Sequence, residues 1–442
     1  NASLRWLAVR YPSIGQELKT GIELREGKTV MEESTRTLPK NTPLTQPYWL
    51  REDREVGTFR VSDSSLIGLA ETPPVFPVEY LFEIGGQTFT LADVPIEPAA
   101  NAEDQPRALD VIPPVSLGFA AEVTLFSPGT SRTLEVNVSA NRPKIAGTVS
   151  LEIPVGWTIS PRTEKFNLAH AGAHSTMRFT VTAPKESATA KFVANAEIAG
   201  VKYRNAREVV HYRHIPLQLL QPLAETKAVS LDLATRGKNI GYLPGAGDDI
   251  PAALKQMGYS VTNLNDADLA VEKLKSLDAI VIGVRALNVR PKFAEELPVL
   301  LQYVENGGTV IAQYNRSQGG RDLKVAPFDL HLSGDRVTDE NAAMTFLAPE
   351  NPVLNVPNKI TPADFNGWVQ ERGVYFPDQW DSHFTPILAC NDPGEKSLQG
   401  GLLVADYGKG HFVYTGLAFF RQLPAGVPGA YRLFANLVSL GK

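Results

Sequence analysis

The sequence has few of the residues that build cross-links and metal sites. Its 442 residues contain one cysteine, Cys390, and seven histidines. An intrachain disulfide framework and a cysteine zinc site are therefore excluded. His211 and His214 lie on a strand-like stretch whose side chains alternate, and His170 and His174 lie in a turn-rich loop, so neither pair has ligand spacing. The sequence predicts no metal and no cofactor in this chain.

Long apolar runs and basic runs are also missing. No stretch of about 18 apolar residues occurs, so no membrane-spanning helix is predicted. No basic run of about 5–8 residues occurs, and the net charge is −5, which argues against nucleic acid as a partner. Hydrophobic residues make up 43% of the chain, which is enough for packed cores. A chain of this length is expected to form roughly two to four domains.

The first 215 residues have the pattern of antiparallel sheet. Short runs with period-2 alternation are separated by proline, glycine, asparagine and aspartate. Two such runs flank Gly85-Gly86 within residues 80–91, which predicts a two-residue hairpin. Residues 133–139 place a leucine and two valines on one face of another strand. Strands at this spacing are typical of β-sandwiches.

A proline-rich stretch, 95–114, marks the boundary between two predicted immunoglobulin-like sandwiches, 1–105 and 106–215. The chain begins in a strand-like run, 4–9, without a leading methionine. We therefore expect the first sandwich to be incomplete at its N-terminus and the chain to be a piece of a longer protein.

The hydrophobic period changes after about residue 238. Four short buried-strand patterns alternate with helical patterns, and a last helix is predicted near the C-terminus. The predicted strands are 239–243, 259–264, 278–283 and 309–312, followed by a hairpin formed by 401–405 and 411–415. Strand–helix alternation predicts a parallel sheet covered by helices on both faces, that is, a doubly wound α/β domain over residues 216–442.

Polar side chains follow the predicted strands at their carboxyl ends, which is where such sheets bind ligands. The candidates are Asp248, Asp249, Arg285, Asn288, Gln313, Tyr314 and Asn315. They can form a ligand pocket, or they can satisfy loop backbone groups, and the sequence leaves both open. The two aspartates are predicted to cap the following helix. With Ile250 at the third position of the glycine loop, nucleotide binding is not expected.

Further candidates lie near the C-terminus. Glu340 and Glu371 are either solvated carboxylates or, with Asp248 or Asp249, members of a hydrolase acid/base pair. Trp368 belongs to an aromatic-rich stretch that predicts either a core or a sugar-stacking platform.

Several segments together resemble the C-terminal region of long bacterial PIG-L (LmbE-like) deacetylases, including a sandwich module found beside carbohydrate-binding modules in bacterial glycosidases. The segments are LTQPYWL (44–50), LEIPVGWTISP (151–161), FNL (166–168), FTVTAP (179–184), DRVTDEN (335–341), GWVQERG (367–373) and FRQLPAG (420–426). The last of these adds Arg421 to the candidates. The resemblance implies that a zinc-dependent catalytic domain precedes residue 1, and that zinc is bound only there.

The C-terminal part also resembles class I glutamine amidotransferase and ThuA-like domains, notably in the run YGKGHFVYTGL (407–417). This resemblance implies a flavodoxin-like arrangement with a nucleophilic cysteine after the strand 309–312. Gln313, Tyr314 and Asn315 occupy that place, and Cys390 lies in an extended stretch. The amidotransferase chemistry is therefore expected to be lost.

The resulting functional hypothesis is a non-catalytic accessory region that binds a glycan or positions a deacetylase domain. The expected partners are a carbohydrate and the chain's own N-terminal deacetylase domain, with no nucleic acid and no membrane span. A divergent hydrolase and a structural spacer remain the alternatives. Export to the periplasm or the extracellular space is expected because sandwich modules of this kind usually work there.

Overall fold

The structure is a computed structural model, and it describes residues 3–39, 41–52, 57–97, 107–212, 214–215, 217–317 and 324–442. Strands hold 39% of the chain and helices 15%. The molecule is therefore mostly β. No described helix is both long enough and apolar enough to cross a membrane.

The N-terminal region is built on one antiparallel sheet. Its strands are β1 (Leu4–Tyr11), β2 (Gln16–Leu24), β3 (Val78–Ile84) and β4 (Gln87–Asp93), in the order β2-β1-β3-β4. Gly85 and Gly86 have φ of 58° and 82° and join β3 to β4, as a two-residue hairpin turn requires. The predicted hairpin is confirmed. A short pair, β5 (Ile96–Glu97) and β6 (Arg107–Ala108), follows.

The predicted first sandwich is wrong. The described residues show one sheet here, and its buried core is limited to Val9, Tyr11 and Val78. Between β2 and β3 the described chain forms loops and two short 3-10 turns, Tyr48–Leu50 and Ser64–Leu66. Prolines are frequent in that segment, and a proline cannot donate to a strand ladder. The described part of this segment therefore forms no second layer.

The middle region is a β-sandwich. Its strands are β7 (Val115–Phe119), β8 (Val123–Phe126), β9 (Ser131–Ala140), β10 (Ile145–Glu152), β11 (Thr158–Ser160), β12 (Thr163–Leu168), β13 (His174–Thr182), β14 (Ala188–Ile198), β15 (Val201–Tyr203), β16 (Glu208–Val210), β17 (Gln218–Leu220) and β18 (Glu225–Ser230). One sheet has the order β12-β10-β14-β18-β8, with β15 on β14, and the other has the order β11-β13-β9-β7. The strands β16 and β17 form a separate pair.

The two sheets enclose one core, in which the predicted face of β9, Leu134, Val136 and Val138, is buried. Trp157 lies between two phenylalanine rings at centroid distances of 5.1 Å each. The strand β18 lies beyond the predicted limit at residue 215 and pairs with β14 and β8.

The C-terminal region contains a seven-stranded mixed sheet. Its elements in chain order are β19 (Asn239–Leu243), α1 (Ile250–Gln256), β20 (Ser260–Asn263), α2 (Val271–Leu274), β21 (Ala279–Ile282), α3 (Ala286–Val289), α4 (Phe293–Glu305), β22 (Thr309–Gln313), β23 (Leu330–Val337), β24 (Thr345–Phe346), β25 (Gly373–Trp380), β26 (Thr385–Pro386), β27 (Leu388–Ala389), β28 (Leu402–Tyr407), β29 (Gly410–Thr415), α5 (Phe419–Gln422) and α6 (Pro428–Val438). The strand order is β20-β19-β21-β22-β29-β28-β26. The first five strands are parallel, and β28 and β26 are antiparallel to their neighbours.

The prediction of a doubly wound, flavodoxin-like domain is wrong for this mostly β chain. The helices α2, α3 and α5 have four residues each, which is a single turn. Residues 324–401 form strands, 3-10 turns and loops, without an α-helix. Among the helices that the structure describes, only α4 and α6 have an apolar stripe about three turns long, and a stripe of that length holds a helix against a sheet.

Candidate binding face

Asp248 holds the carboxyl ends of three neighbouring strands together. It is half-buried, and its Oδ1 accepts hydrogen bonds from the Tyr242 hydroxyl at 2.7 Å and the Ile250 N–H at 3.1 Å. Its Oδ2 accepts from the Val284 N–H at 3.0 Å and from Gln313 Nε2 at 3.1 Å. Burial, together with the nearby carboxylate of Asp248, raises the pKa of Tyr242. The neighbouring Asp249 is exposed at the N-cap of α1 and makes no side-chain cap bond.

The amide side chains at these strand ends also bind the chain itself. Asn315 is buried, accepts from the Leu287 N–H at 2.9 Å and donates to the Gln313 carbonyl at 3.1 Å. Asn288 makes two bonds of 2.9 Å to the backbone N–H and carbonyl of Arg316. The sequence left two roles open for these side chains, which were to form a ligand pocket or to satisfy loop backbone groups. These contacts correspond to the second role. They fix the loop after β22.

That loop presents an aromatic cluster made of Tyr314, Tyr375 and Phe420. The Tyr314 and Tyr375 rings stack with centroids 5.6 Å apart and an interplanar angle of 19°. The Tyr314 and Phe420 rings lie 5.2 Å apart at 46°. All three residues are partly exposed. The cluster brings together the end of β22, the middle of β25 and the start of α5.

Arginines surround this cluster. The Arg316 and Arg336 guanidinium carbons lie 5.5 Å and 6.0 Å from the centroid of the Tyr375 ring. Arg421 lies 4.9 Å from the Phe420 centroid, and its Nε donates to Glu371 Oε1 at 2.6 Å.

Arg285 lies on the Tyr314 side of the cluster. Burial raises the pKa of Tyr314, and the positive charge of Arg285 opposes that rise. We call the aromatic cluster together with Arg285, Arg316, Arg336, Arg421 and Glu371 the binding face.

The backbone of the binding face is unusual. Arg285 and Tyr375 have φ of 57° and 53°, and Gln370, next to Glu371, has φ of 66°. Five non-glycine residues in the described chain have positive φ, so three of them lie on segments of this face. Such a conformation costs on the order of 1 kcal/mol or more for a side-chain-bearing residue and is concentrated at functional sites. The Arg285 N–H donates to the Tyr314 carbonyl at 2.8 Å and ties two of these segments together.

Trp368 lies in the core and not on the binding face. It is 3% exposed, its Nε1 donates to the Asp364 carbonyl at 3.1 Å, and its ring packs on Phe365 and Phe419. Of the two interpretations that the sequence left open for Trp368, a core residue and a sugar-stacking platform, the burial agrees with the core residue, because a buried indole cannot stack on a ligand.

Arg372 is buried beside the Trp368 ring and donates to backbone carbonyls. Desolvation lowers the pKa of this arginine, and the negative charges of Asp339 and Glu340 nearby oppose that lowering. Burial raises the pKa of the Cys390 thiol to about 12, which leaves it protonated and inert at neutral pH.

No hydrogen bond or ion pair joins Asp248 or Asp249 to Glu340 or Glu371 in the described part of the chain. Asp248 is saturated by four donors, and Glu371 is paired with Arg421. Among the described residues, no group of three or more histidine, cysteine, aspartate or glutamate side chains could hold a metal ion. The hydrolase hypothesis therefore gains no geometric support.

A surface cavity of about 500 Å³ lies in the N-terminal region, far along the chain from the binding face. It is lined by Ser13, Pro39, Asn41, Thr42, Pro43, Arg51, Asp63, Leu66, Pro73, Pro74 and Val75. Prolines and loop residues dominate this lining, and none of the predicted site residues belongs to it.

Comparisons with known proteins do not place the chain in a family. No family model matches it, and no curated protein matches it. WR4, a C. elegans MSP family member, is 10% identical over 26% of this chain and 97% of its own, with a TM-score of 0.17. A Salmonella alpha-2-macroglobulin is 13% identical over 35% of this chain and 8% of its own, with a TM-score of 0.19.

A non-cellulosomal cohesin from Archaeoglobus fulgidus is 7% identical over 25% of this chain and 91% of its own, with a TM-score of 0.15. Likenesses at this level carry no argument about this chain.

Sequence reasoning missed Tyr375, Phe420 and Arg336 as members of the face. Tyr375 lies in the aromatic-rich stretch that contains Trp368, for which the sequence leaves a core and a sugar-stacking platform open, and Phe420 is the first residue of the segment FRQLPAG (420–426). A local signal existed for Arg336 and Arg421, which both lie in segments that resemble the PIG-L family. Nothing local shows that these side chains meet Tyr314.

Proposed function

We propose that this chain is a non-catalytic accessory region that binds a glycan at the binding face. The observation that carries the proposal is the partly exposed Tyr314–Tyr375–Phe420 cluster with four arginines around it. It lies at the carboxyl ends of parallel strands, where ligands of such sheets bind. No described group there is arranged as an activated nucleophile.

A sugar suits the chemistry of this face. The C–H face of a pyranose ring packs on an aromatic ring, and guanidinium groups donate hydrogen bonds to ring hydroxyls. The Tyr314 and Tyr375 hydroxyls add donors and acceptors beside the rings. The strained backbone at Arg285 and Tyr375 holds these side chains in place before a ligand arrives, which reduces the ordering cost of binding.

The resemblance to PIG-L proteins gives the proposal its context. In that context the parent protein is a zinc-dependent deacetylase of N-acetylated amino sugars, and this chain holds a glycan for it outside the cytoplasm.

A positioning role for the same chain is favoured by a separate observation. Buried residues of the sandwich, including Leu125 and Val229, belong to one core with α1 and α6 of the C-terminal region. A shared core makes a stiff connection, which is what orienting another domain requires.

The test is isothermal titration of this chain with a panel of mono- and oligosaccharides. One sugar class should bind, and Tyr375→Leu should weaken that binding about three- to tenfold, because the stacking surface is lost. Tyr212→Leu is the matched control, since Tyr212 is 59% exposed and lies outside the face. Absence of binding across the panel, or equal losses in the two variants, would reject the proposal.

A further inference from the structure

Among the described residues, the binding face has more arginines than carboxylates that pair with them. Four arginines surround the aromatic cluster, and among the described residues Glu371 is the one carboxylate that pairs with any of them, through Arg421. No ion pair of Arg285, Arg316 or Arg336 is found within the residues that the structure describes. The whole chain has a net charge of −5, so this concentration of positive charge is local.

Arg285 has an unused hydrogen-bond donor inside the face. Its Nε is buried and has no hydrogen-bond partner among the described residues, although its backbone is fixed by the bond from its N–H to the Tyr314 carbonyl. A buried donor without an acceptor costs free energy, and an ionised acceptor is the group that recovers most of it. The bound state of this face is therefore expected to supply an oxyanion next to Arg285.

The N-terminus of α1 is not suited to bind a phosphate. The Ile250 N–H, which would face such a phosphate, already donates to Asp248, and Asp249 adds a second carboxylate beside it. The positive charge lies instead beside rings that offer a flat apolar surface. The ligand needs a negative group and a face of C–H bonds in one molecule.

We infer that the binding face selects anionic glycans, in which carboxylate or sulfate groups pair with Arg285, Arg316 and Arg336 while a sugar ring packs on Tyr375. This inference rests on the proposed glycan binding and adds the ligand class to it. Carboxylated and sulfated sugars share the same recognition chemistry here, because guanidinium groups bind both kinds of oxyanion in a fork geometry.

The test uses two pairs of probes that differ only in charge. Oligogalacturonate is compared with its methyl ester, and dextran sulfate is compared with dextran, by titration at low and at moderate salt. In at least one pair, the charged member should bind about tenfold or more tightly than its neutral partner, and added salt should reduce that preference. The pair that responds distinguishes a carboxylated from a sulfated ligand.

Two exposed arginines supply the variants. Arg316→Gln and Arg336→Gln should each weaken binding of the charged probe about three- to tenfold, and should weaken binding of its neutral partner less. Arg178→Gln is the control, because Arg178 is equally charged, exposed and located on the sandwich. Both face arginines are exposed, so the variants should fold like the parent.

Three results would overturn the inference. Equal binding of charged and neutral probes would retain glycan binding and reject the selection for charge. Equally tight binding of polyglutamate would show a site for negative charge without a sugar requirement. Failure of all four carbohydrate probes, together with failure of the wider sugar panel, would reject the proposed function itself.

Discussion

Asp248 shows how a single carboxylate can serve the chain rather than a ligand. Its two oxygens accept four hydrogen bonds, two of them from backbone N–H groups that no helix or strand satisfies. The sequence suggested a helix cap or a ligand-binding residue for this position. The structure assigns the cap position to Asp249, while Asp248 bonds to the first helical N–H and to the segment after β21.

Replacing Asp248 should therefore affect stability. Asp248→Ala leaves the Tyr242 hydroxyl, the Val284 N–H and Gln313 Nε2 without their acceptor, and we expect a loss of about 2–4 kcal/mol in the free energy of unfolding. Urea denaturation followed by circular dichroism measures this loss. Asp249→Ala, at the exposed neighbour, should change stability by less than about 0.5 kcal/mol. Similar losses in the two variants would contradict the assigned role.

At the scale of elements, three glycines allow β25 to pack against the ends of β28 and β29. A Cβ on Gly373, Gly401 or Gly416 would lie within 3.0 Å of the buried Phe376 ring. Phe376 is fully buried, and the next residue along the chain is Tyr375 of the binding face. The close approach at these glycines therefore determines where β25 presents Tyr375.

Gly416→Ala tests this packing. The new Cβ would lie 2.5 Å from Phe376 Cδ1 and 2.8 Å from the Val374 carbonyl oxygen, and neither atom belongs to a flexible chain end. We expect a loss of about 1–3 kcal/mol in unfolding free energy from overpacking, measured by thermal or urea unfolding. Gly334→Ala in β23 is the control, because its Cβ would meet no atom within 4 Å. An unchanged Gly416→Ala variant would show that β25 can shift freely.

At the scale of the whole molecule, the sandwich and the C-terminal sheet are joined by polar and apolar contacts. Gln256 at the end of α1 accepts through Oε1 from the Leu125 N–H at 3.3 Å and from Arg132 at 3.1 Å. Lys227 on β18 donates to the Ala425 carbonyl at 2.5 Å. Because these bonds surround a shared core, the two regions should unfold together.

Gln256→Ala should weaken this coupling. The Leu125 N–H and Arg132 lose a shared acceptor, which corresponds to about 1–3 kcal/mol of interface stability. In hydrogen exchange measured peptide by peptide across a urea series, sandwich and C-terminal peptides should have one midpoint in the parent and separate midpoints in the variant. Gln302→Ala, at an exposed position of α4, should leave a single midpoint. Two midpoints in the parent would show that the regions are independent.

The sequence predicted local elements more successfully than their assembly. The strands expected at 239–243, 278–283 and 309–312 correspond to β19, β21 and β22. A short, continuous apolar run forms a buried strand whatever the arrangement of the sheet around it. One of the helical patterns between the predicted strands spans residues 267–275, and only α2 forms there, since Asn265 and Asp268 cap a 3-10 turn that precedes it. The prediction of an α/β domain covered by helices was wrong because most of the expected helices lack an apolar stripe long enough to pack against the sheet.

The sequence by itself determined what depends on near neighbours. Period-2 alternation placed Leu134, Val136 and Val138 in the sandwich core, and Gly85-Gly86 set the first hairpin, because both depend on side-chain direction and φ within a few residues. Only the tertiary structure decided that Trp368 is buried, and that Tyr314, Tyr375 and Phe420 meet. Those contacts join segments far apart in the chain, so they depend on loop paths and on close packing at glycines, which no local pattern encodes.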